Sequence, residues 1–163
     1  MHQLETSRLR FRLWNEGDFE EIRDYFQEQQ YAQFLGGIKD AESSWRLMAT
    51  YLGHYQLKGY SYLAIETKEA AQLIGTIGLW NSDPWPEPEL GYWLFGHAMG
   101  QGYGVEAGEV VKAYAKEIKL PSLVSYIDPV NEASKKLALK LGAYHDGEIQ
   151  LLDFGKHAVY RYW

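Results

Sequence analysis

Three glycines on alternate positions, in Gly100-Gln101-Gly102-Tyr103-Gly104, stand between an aromatic strand-like run (Leu90 to Phe95) and a helical run (Val105 to Lys119). A strand that breaks into a glycine-rich turn and then enters a helix aims several backbone N–H groups at one spot. The helix N-terminus adds a partial positive charge there, so the turn is suited to holding a phosphate or pyrophosphate. Without β-carbons on alternate residues, the backbone can approach such an anion closely. The flanking strands and helices then need a right-handed crossover and a mixed sheet.

The rest of the chain supplies those elements. Leu9 to Leu13 alternates apolar and basic residues, as a half-exposed strand does. Asn15-Glu16-Gly17-Asp18 offers capping chemistry for a helix whose Phe19, Ile22 and Phe26 share one face. A second helix starts near Asp40, with Trp45, Met48, Leu52 and Tyr55 at helical intervals, and ends at Lys58-Gly59. Tyr60 to Glu66 and Gln72 to Trp80 read as a hairpin turning at Thr67-Lys68-Glu69. Three prolines make residues 81–88 a rigid loop, and Glu89 to Phe95 is the strand that feeds the glycines.

Beyond the glycines, the helix carries Ala107, Val111, Tyr114 and Ile118 on one stripe, and Pro121 stops it. Leu123 to Ile127 is a strand, Asn131 to Leu141 a short helix, and Tyr144 to Leu152 and Ala158 to Trp163 the last two strands. The expected fold class is α/β with a mixed sheet, in the order βααβββαβαββ. No composition shift divides residues 1–163, so one domain is expected.

Composition removes several function classes. Sixteen Lys and Arg against twenty-two Asp and Glu leave a formal charge of −6, which disfavours nucleic acid or an anionic membrane as partner. With no cysteine there is no disulfide, thiolate metal site or cysteine nucleophile, and the five histidines show no metal-ligand spacing. No metal is expected. Residues 1–6 are polar and lack an apolar signal core, and no segment has the length to span a bilayer, so a cytoplasmic protein is expected.

Further motifs join the glycine loop. Glu89-Leu90-Gly91-Tyr92-Trp93-Leu94 precedes it, and Asn131-Glu132-Ala133-Ser134 with Leu141-Gly142 follows about thirty residues later. Thr6-Ser7-Arg8-Leu9-Arg10 and Leu73-Ile74-Gly75-Thr76-Ile77-Gly78 complete the set. Together, in this order and over nearly the whole chain, they resemble the GNAT acyl-CoA-dependent N-acetyltransferases. The branch that includes the Rim-type ribosomal-protein N-terminal acetyltransferases is the most similar.

The resemblance implies acetyl-CoA as cosubstrate and a primary amine, on a protein N-terminus or a small molecule, as acceptor. Backbone N–H groups of Met99, Gly100, Gln101, Gly102, Tyr103, Gly104 and Val105 would hold the pyrophosphate. The pantetheine arm would lie along Trp93, Leu94 and Phe95, where the central strands splay, with Asn131 orienting it or a water. An N–H near Leu94 would steady the oxyanion. Glu89 would take the amine's proton, and Ser134 would protonate the leaving thiolate.

Each of these residues also has a plainer reading. Trp93 and Phe95 fill a core equally well, Asn131 and Ser134 suit a helix start, and Glu89 could be a solvated charge. Asp153, Glu148 and His145 are alternative bases, while Lys135, Lys136 and Lys140 read as a solvated helix face. Met99, Gly104 and Ala143 depart from the family pattern: a side-chain contact to the cosubstrate is missing, the loop is looser, and the pocket near the thiol is reshaped.

A Rossmann dinucleotide site, with Asp128 ending the next strand, fails because Val105 stands where the third glycine belongs. A non-catalytic acyl-CoA sensor on the same fold remains the alternative. Trp45, Tyr51, Tyr55, Trp80 and Trp85 are expected around the acceptor, and the aromatic C-terminus, Tyr160 to Trp163, offers a homodimer surface.

Overall fold

The computed structural model describes residues 4–163; Met1 to Gln3, half of the stretch read as leaderless, lie outside the described residues. Among the described residues, seven strands form one mixed sheet in the order β1-β2-β3-β4-β5-β7-β6. β1 (Leu9–Arg12), β2 (Tyr62–Thr67), β3 (Leu73–Trp80) and β4 (Glu89–Leu94) pair antiparallel in succession. β5 (Val124–Ile127) lies parallel to β4, which the crossover through α4 (Tyr103–Glu117) permits. After α5 (Glu132–Lys140), the hairpin of β6 (Tyr144–Gln150) and β7 (Lys156–Arg161) closes the sheet, with β7 against β5.

Apolar alternation divides the core between two faces. On one, α4 covers Leu9, Phe11, Ile77, Leu79 and Leu90. The other carries α1 (Phe19–Gln27) and α3 (Ala41–Lys58), with Ile22, Phe26, Met48 and Tyr51 packed on Ala64, Leu73 and Trp93. The entry to α1 is fixed by charge. Arg12 holds buried Asp18 through two 2.8 Å hydrogen bonds, and it reaches Glu66 on β2 at 2.8 Å. Asp18 in turn accepts from the Asn15 N–H, so one carboxylate ties strand, cap and helix together.

The expected order gains one element, the one-turn helix α2 (Gln29–Ala32) between α1 and α3. Four residues are too few to show a period, and Gln29-Gln30 hides the signal. Its buried Ala32, and Tyr31 stacked 5.0 Å from Tyr25, dock it to the aromatic core. α4 starts at Tyr103, two residues earlier than expected, because Gly102 takes left-handed backbone (φ 79°) as its cap. At the C-terminus, Tyr162 bonds Ser125 at 3.0 Å and Trp163 donates to the Leu120 carbonyl at 3.4 Å, so these aromatics are engaged within their own chain.

α4 and α5 approach closely at Gly108. A β-carbon there would lie 2.6 Å from Cδ1 of the fully buried Leu141 at the α5 C-cap. Gly108→Val should therefore lower stability by about 1–3 kcal/mol through overpacking. Gly108→Val with Leu141→Ala should lose less than the sum of the single losses in urea denaturation, because the deletion opens the space that the valine needs.

Candidate active site

The sheet is split where the glycine-bearing strand meets β5. Glu89 opposite Val124 is the one register pair between β4 and β5, closed by the Val124 N–H on the Pro88 carbonyl at 3.0 Å. One step on, the Leu90 carbonyl is taken by the Ser125 hydroxyl at 2.6 Å instead of by backbone. The strands then part around a cavity of about 210 Å³ lined by residues of both, Glu89 to Trp93 and Ser125 to Asp128. Backbone groups alternate sides along a strand. Phe95 gives its N–H to the Ile74 carbonyl on β3, so Tyr92 and Leu94 are the residues that turn their N–H and C=O groups into the gap. Those groups are free for an amide-bearing chain to pair with.

The glycine loop lies just beyond the end of β4. Gly100 (φ 74°) and Gly102 (φ 79°) occupy left-handed backbone. Among the described residues, nothing accepts from the N–H groups of Gly102, Tyr103, Gly104 and Val105, while the Glu106 N–H already bonds the Gly102 carbonyl. Four free donors thus point outward at a helix start. Arg8 clamps this turn: its guanidinium donates to the Gln101 carbonyl at 3.1 Å and to Glu106 at 2.7 Å, and it lies 4.5 Å over the Tyr103 ring. Thr6 also donates to Glu106. Tethering Glu106 to Arg8 offsets a negative charge in the first turn of an anion-binding helix.

Side-chain alternation along β4 sends Glu89 and Trp93 toward α1 and α3, and Tyr92 and Leu94 toward α4 and α5. Glu89 is 7% exposed and lines the cavity. It accepts from Trp85 Nε1 at 2.9 Å and from the Tyr126 N–H at 3.4 Å. Burial pushes its carboxyl up to about 7 against the opposing pull of those two donors. Trp85 belongs to the Pro-rich loop, which Arg161 of β7 anchors through two 2.8 Å bonds to Glu87. On the opposite face, Ser134 Oγ and Tyr92 Oη are 2.9 Å apart. Asn131 caps α5 by accepting from the Ser134 N–H at 3.2 Å, which fixes where that hydroxyl sits.

Glu89, Trp93, Asn131 and Ser134 therefore meet at one cavity. Trp93 is buried there among Trp14, Tyr25 and Phe26, and Phe95 packs edge-on against Tyr25 and Trp93. Of the Trp93-Leu94-Phe95 run, only Leu94 offers polar groups to the gap. Met99 is exposed at the loop. His145, Glu148 and Asp153 are exposed and absent from the cavity wall, with Glu148 paired to Lys156 at 2.5 Å. Lys135 pairs with Glu132 at 2.6 Å on its own helix.

Tyr51 and Trp85 line the cavity as expected. Trp45 instead packs edge-on against Phe19, Tyr55 lies against the α4 core, and Trp80 stacks on His54 with ring centroids 4.0 Å apart. Tyr92, the partner of Ser134, had no sequence signal beyond its β4 position. His157, Phe154 and Tyr126 also line the wall, brought in by long-range pairing of β5 and β7 that no local pattern reveals.

A model of the acetyltransferase (GNAT) domain matches residues 8–144. The chain belongs to the GNAT family. It is an N-acetyltransferase, and the family takes its acetyl group from acetyl-CoA.

The uncharacterized N-acetyltransferase YoaA of Bacillus subtilis (strain 168) is 27% identical over 151 residues, 90% of this chain and 85% of that protein. An acetyltransferase from Agrobacterium tumefaciens str. C58 superposes with a TM-score of 0.91 at 32% identity, covering 100% of this chain and 95% of that one. In fold, the chain is also similar to a Rim-type enzyme, a ribosomal L7/L12 alpha-N-protein acetyltransferase in complex with coenzyme A. There the TM-score is 0.79 at 15% identity, over 98% of this chain and 97% of that one. Among the described residues, no helix is long and apolar enough to cross a membrane.

A carboxyl raised from 4.5 to about 7 by burial keeps its proton longer in the folded than in the unfolded chain. Its contribution to stability is complete below pH 4.5 and is lost as pH rises through about 7, by roughly 3 kcal/mol for a shift of this size. Glu89→Gln removes the ionisation while keeping an acceptor for Trp85. The variant should gain stability relative to the parent as pH increases from 4 to 8, in paired thermal melts.

Proposed function

We propose that residues 1–163 act as one domain that moves an acetyl group from acetyl-CoA to a primary amine by direct attack. The observation that carries this reading is the buried Glu89 carboxylate at the head of the split between β4 and β5, with a proton affinity near neutrality. A general base works best when its pKa lies near the operating pH. The free N–H groups of Gly102 to Val105 suit a pyrophosphate, and the unpaired edges of Tyr92 and Leu94 suit the two amides of a pantetheine arm.

Glu89 takes a proton from the acceptor ammonium, freeing the nitrogen lone pair. The nitrogen attacks the thioester carbon; an N–C bond forms, and the carbonyl oxygen becomes an oxyanion facing a β4 N–H in the gap. Collapse breaks the C–S bond. The thiolate takes a proton from Ser134 Oγ, with Tyr92 Oη 2.9 Å behind it. The nitrogen's surplus proton restores that hydroxyl pair, and the proton on Glu89 passes to solvent. Amide, free thiol and one proton are the products.

The deciding experiment supplies acetyl-CoA and a panel of primary amines and follows free thiol and acetylated product together. Acetyl-CoA without any turnover would leave an acyl-CoA-binding module. Binding is tested separately: acetyl-CoA at ~100 times its Kd should add about 2.7 kcal/mol of stability. Gly102→Val, which forces a branched residue to positive φ, should remove that gain.

Proton transfer has its own signature. kcat/KM should rise with pH through about 7, along a limb set by Glu89. Glu89→Gln should abolish that limb and slow transfer at neutral pH by ~10²–10⁴-fold. Ser134→Ala should lower kcat by ~10²-fold with little change in acetyl-CoA affinity.

A further inference from the structure

The acceptor side of the cavity has a one-sided chemistry. Between α3 and the β6–β7 turn its wall is built mainly from rings and aliphatic chains: Phe34, Leu47, Tyr51, Trp85, Leu151 and Phe154. Among the described residues, Glu89 and Asp128 are the carboxylates in the lining, and no lysine or arginine lines it. The cations that come near are already engaged, Lys39 behind the lining residues Phe26 and Leu35. Lys39 donates to the carbonyls of Leu35 and Gly37 at 2.8 and 3.3 Å, and Arg161 is paired with Glu87 and Asp146. His157, the one histidine on the wall among the described residues, donates from Nδ1 to the Gly155 carbonyl at 3.1 Å.

A carboxylate or phosphate on the acceptor would lose its hydration here and meet two carboxyl groups, with no cation in the lining of the described residues to answer it. Burying an unpaired charge is among the most unfavourable steps in recognition. An ammonium meets the opposite situation, since carboxyl groups and aromatic faces both attract it. The cavity of about 210 Å³ is shared between the two sides of the split, so its apolar wall has room for one compact ring or branched chain beside the amine.

We infer that the acceptor is a small primary amine carried on an apolar, preferably aromatic, body that bears no carboxylate or phosphate. This inference rests on the acetyl-transfer reading and specifies the substrate of that same site. Selection works mainly by exclusion: the pocket rejects amino acids through their carboxylate while their amine-only counterparts fit.

Matched pairs differing in a single carboxylate provide the test: tyramine against L-tyrosine, and phenethylamine against L-phenylalanine, with acetyl-CoA and the native chain. kcat/KM should favour the decarboxylated member of each pair by ~100-fold or more, the scale expected when a buried charge is left unpaired. Phe154→Arg places a cation at the cavity mouth, on a residue that is 57% exposed and so tolerant of charge. That variant should narrow the preference by ~10-fold or more.

Equal rates within a pair, or a preference for the amino acid, would overturn the inference. Acetylation of polyamines, lysine side chains or peptide N-termini with no activity on either pair would overturn it too, while leaving acetyl transfer intact. Thermal stabilisation by acetyl-CoA with no amine acetylated at all would defeat the transfer reading itself.

Discussion

Everything at this site depends on a sheet that stops pairing. β4 and β5 share one register pair, and then a serine hydroxyl replaces the next backbone partner at the Leu90 carbonyl. A parallel ladder that continued would satisfy its own N–H and C=O groups and leave nothing for a ligand. By parting, the strands expose the polar edges of Tyr92 and Leu94 inside the protein, where an extended amide chain is their natural partner. The same opening makes the cavity, so the proposed sites for cosubstrate and acceptor arise from one departure from regular structure.

Such an opening needs rigid neighbours. The Pro-rich loop, anchored by Arg161 to Glu87, brings Trp85 to Glu89 and closes the far end of the split. Glu89 itself is an unfavourable residue to bury, held by two hydrogen bonds rather than by a countercharge. An arginine beside it would stabilise the fold and lower its proton affinity, and a base with an ordinary carboxylate pKa would be a poor match for an ammonium near neutral pH. Under the proposed mechanism the cost to stability is tied to the chemistry, a trade expected where a buried charge serves a reaction.

The elements that were legible in the sequence are those with a local cause. Alternation marked β1, apolar runs set off by a charged turn and a Pro-rich loop marked β2 to β4, the Asn15 and Asp40 caps marked two helix starts, and alternate glycines marked the loop before α4. α2 escaped because one turn has no period. The site was legible where a residue's position on its own strand or helix decides its face, as with Glu89 at the head of β4 and Ser134 three residues after its cap. Tyr92 behind Ser134, Tyr126 against Glu89 and Phe154 at the mouth depend on pairings between distant segments, and no window of sequence contains those. Arg8 lies between these cases: the motif around it was visible, but its grip on Gln101 and Glu106 requires β1 to lie beside the start of α4.

Alternation along β4 also separates Glu89 from Tyr92, the phenol behind Ser134. Glu89 and Tyr92 are three residues apart, an odd number, so their side chains leave opposite faces of the strand. In the proposed reaction the amine's proton would depart on the face shared with α1 and α3, and the thiolate's proton would arrive on the face shared with α4 and α5. An even spacing would place both groups on one side, where a carboxylate and a proton donor would hydrogen-bond to each other and neither would be free for its task. Register protects this arrangement: β4 is paired to β3 at six consecutive positions, from Trp80–Glu89 to Gly75–Leu94. A slip of one residue would turn every β4 side chain to the wrong face, setting Trp93 against α4 and burying Glu89 in the apolar core beneath it. The hairpin that builds the core is thus also what keeps the base and the acid apart.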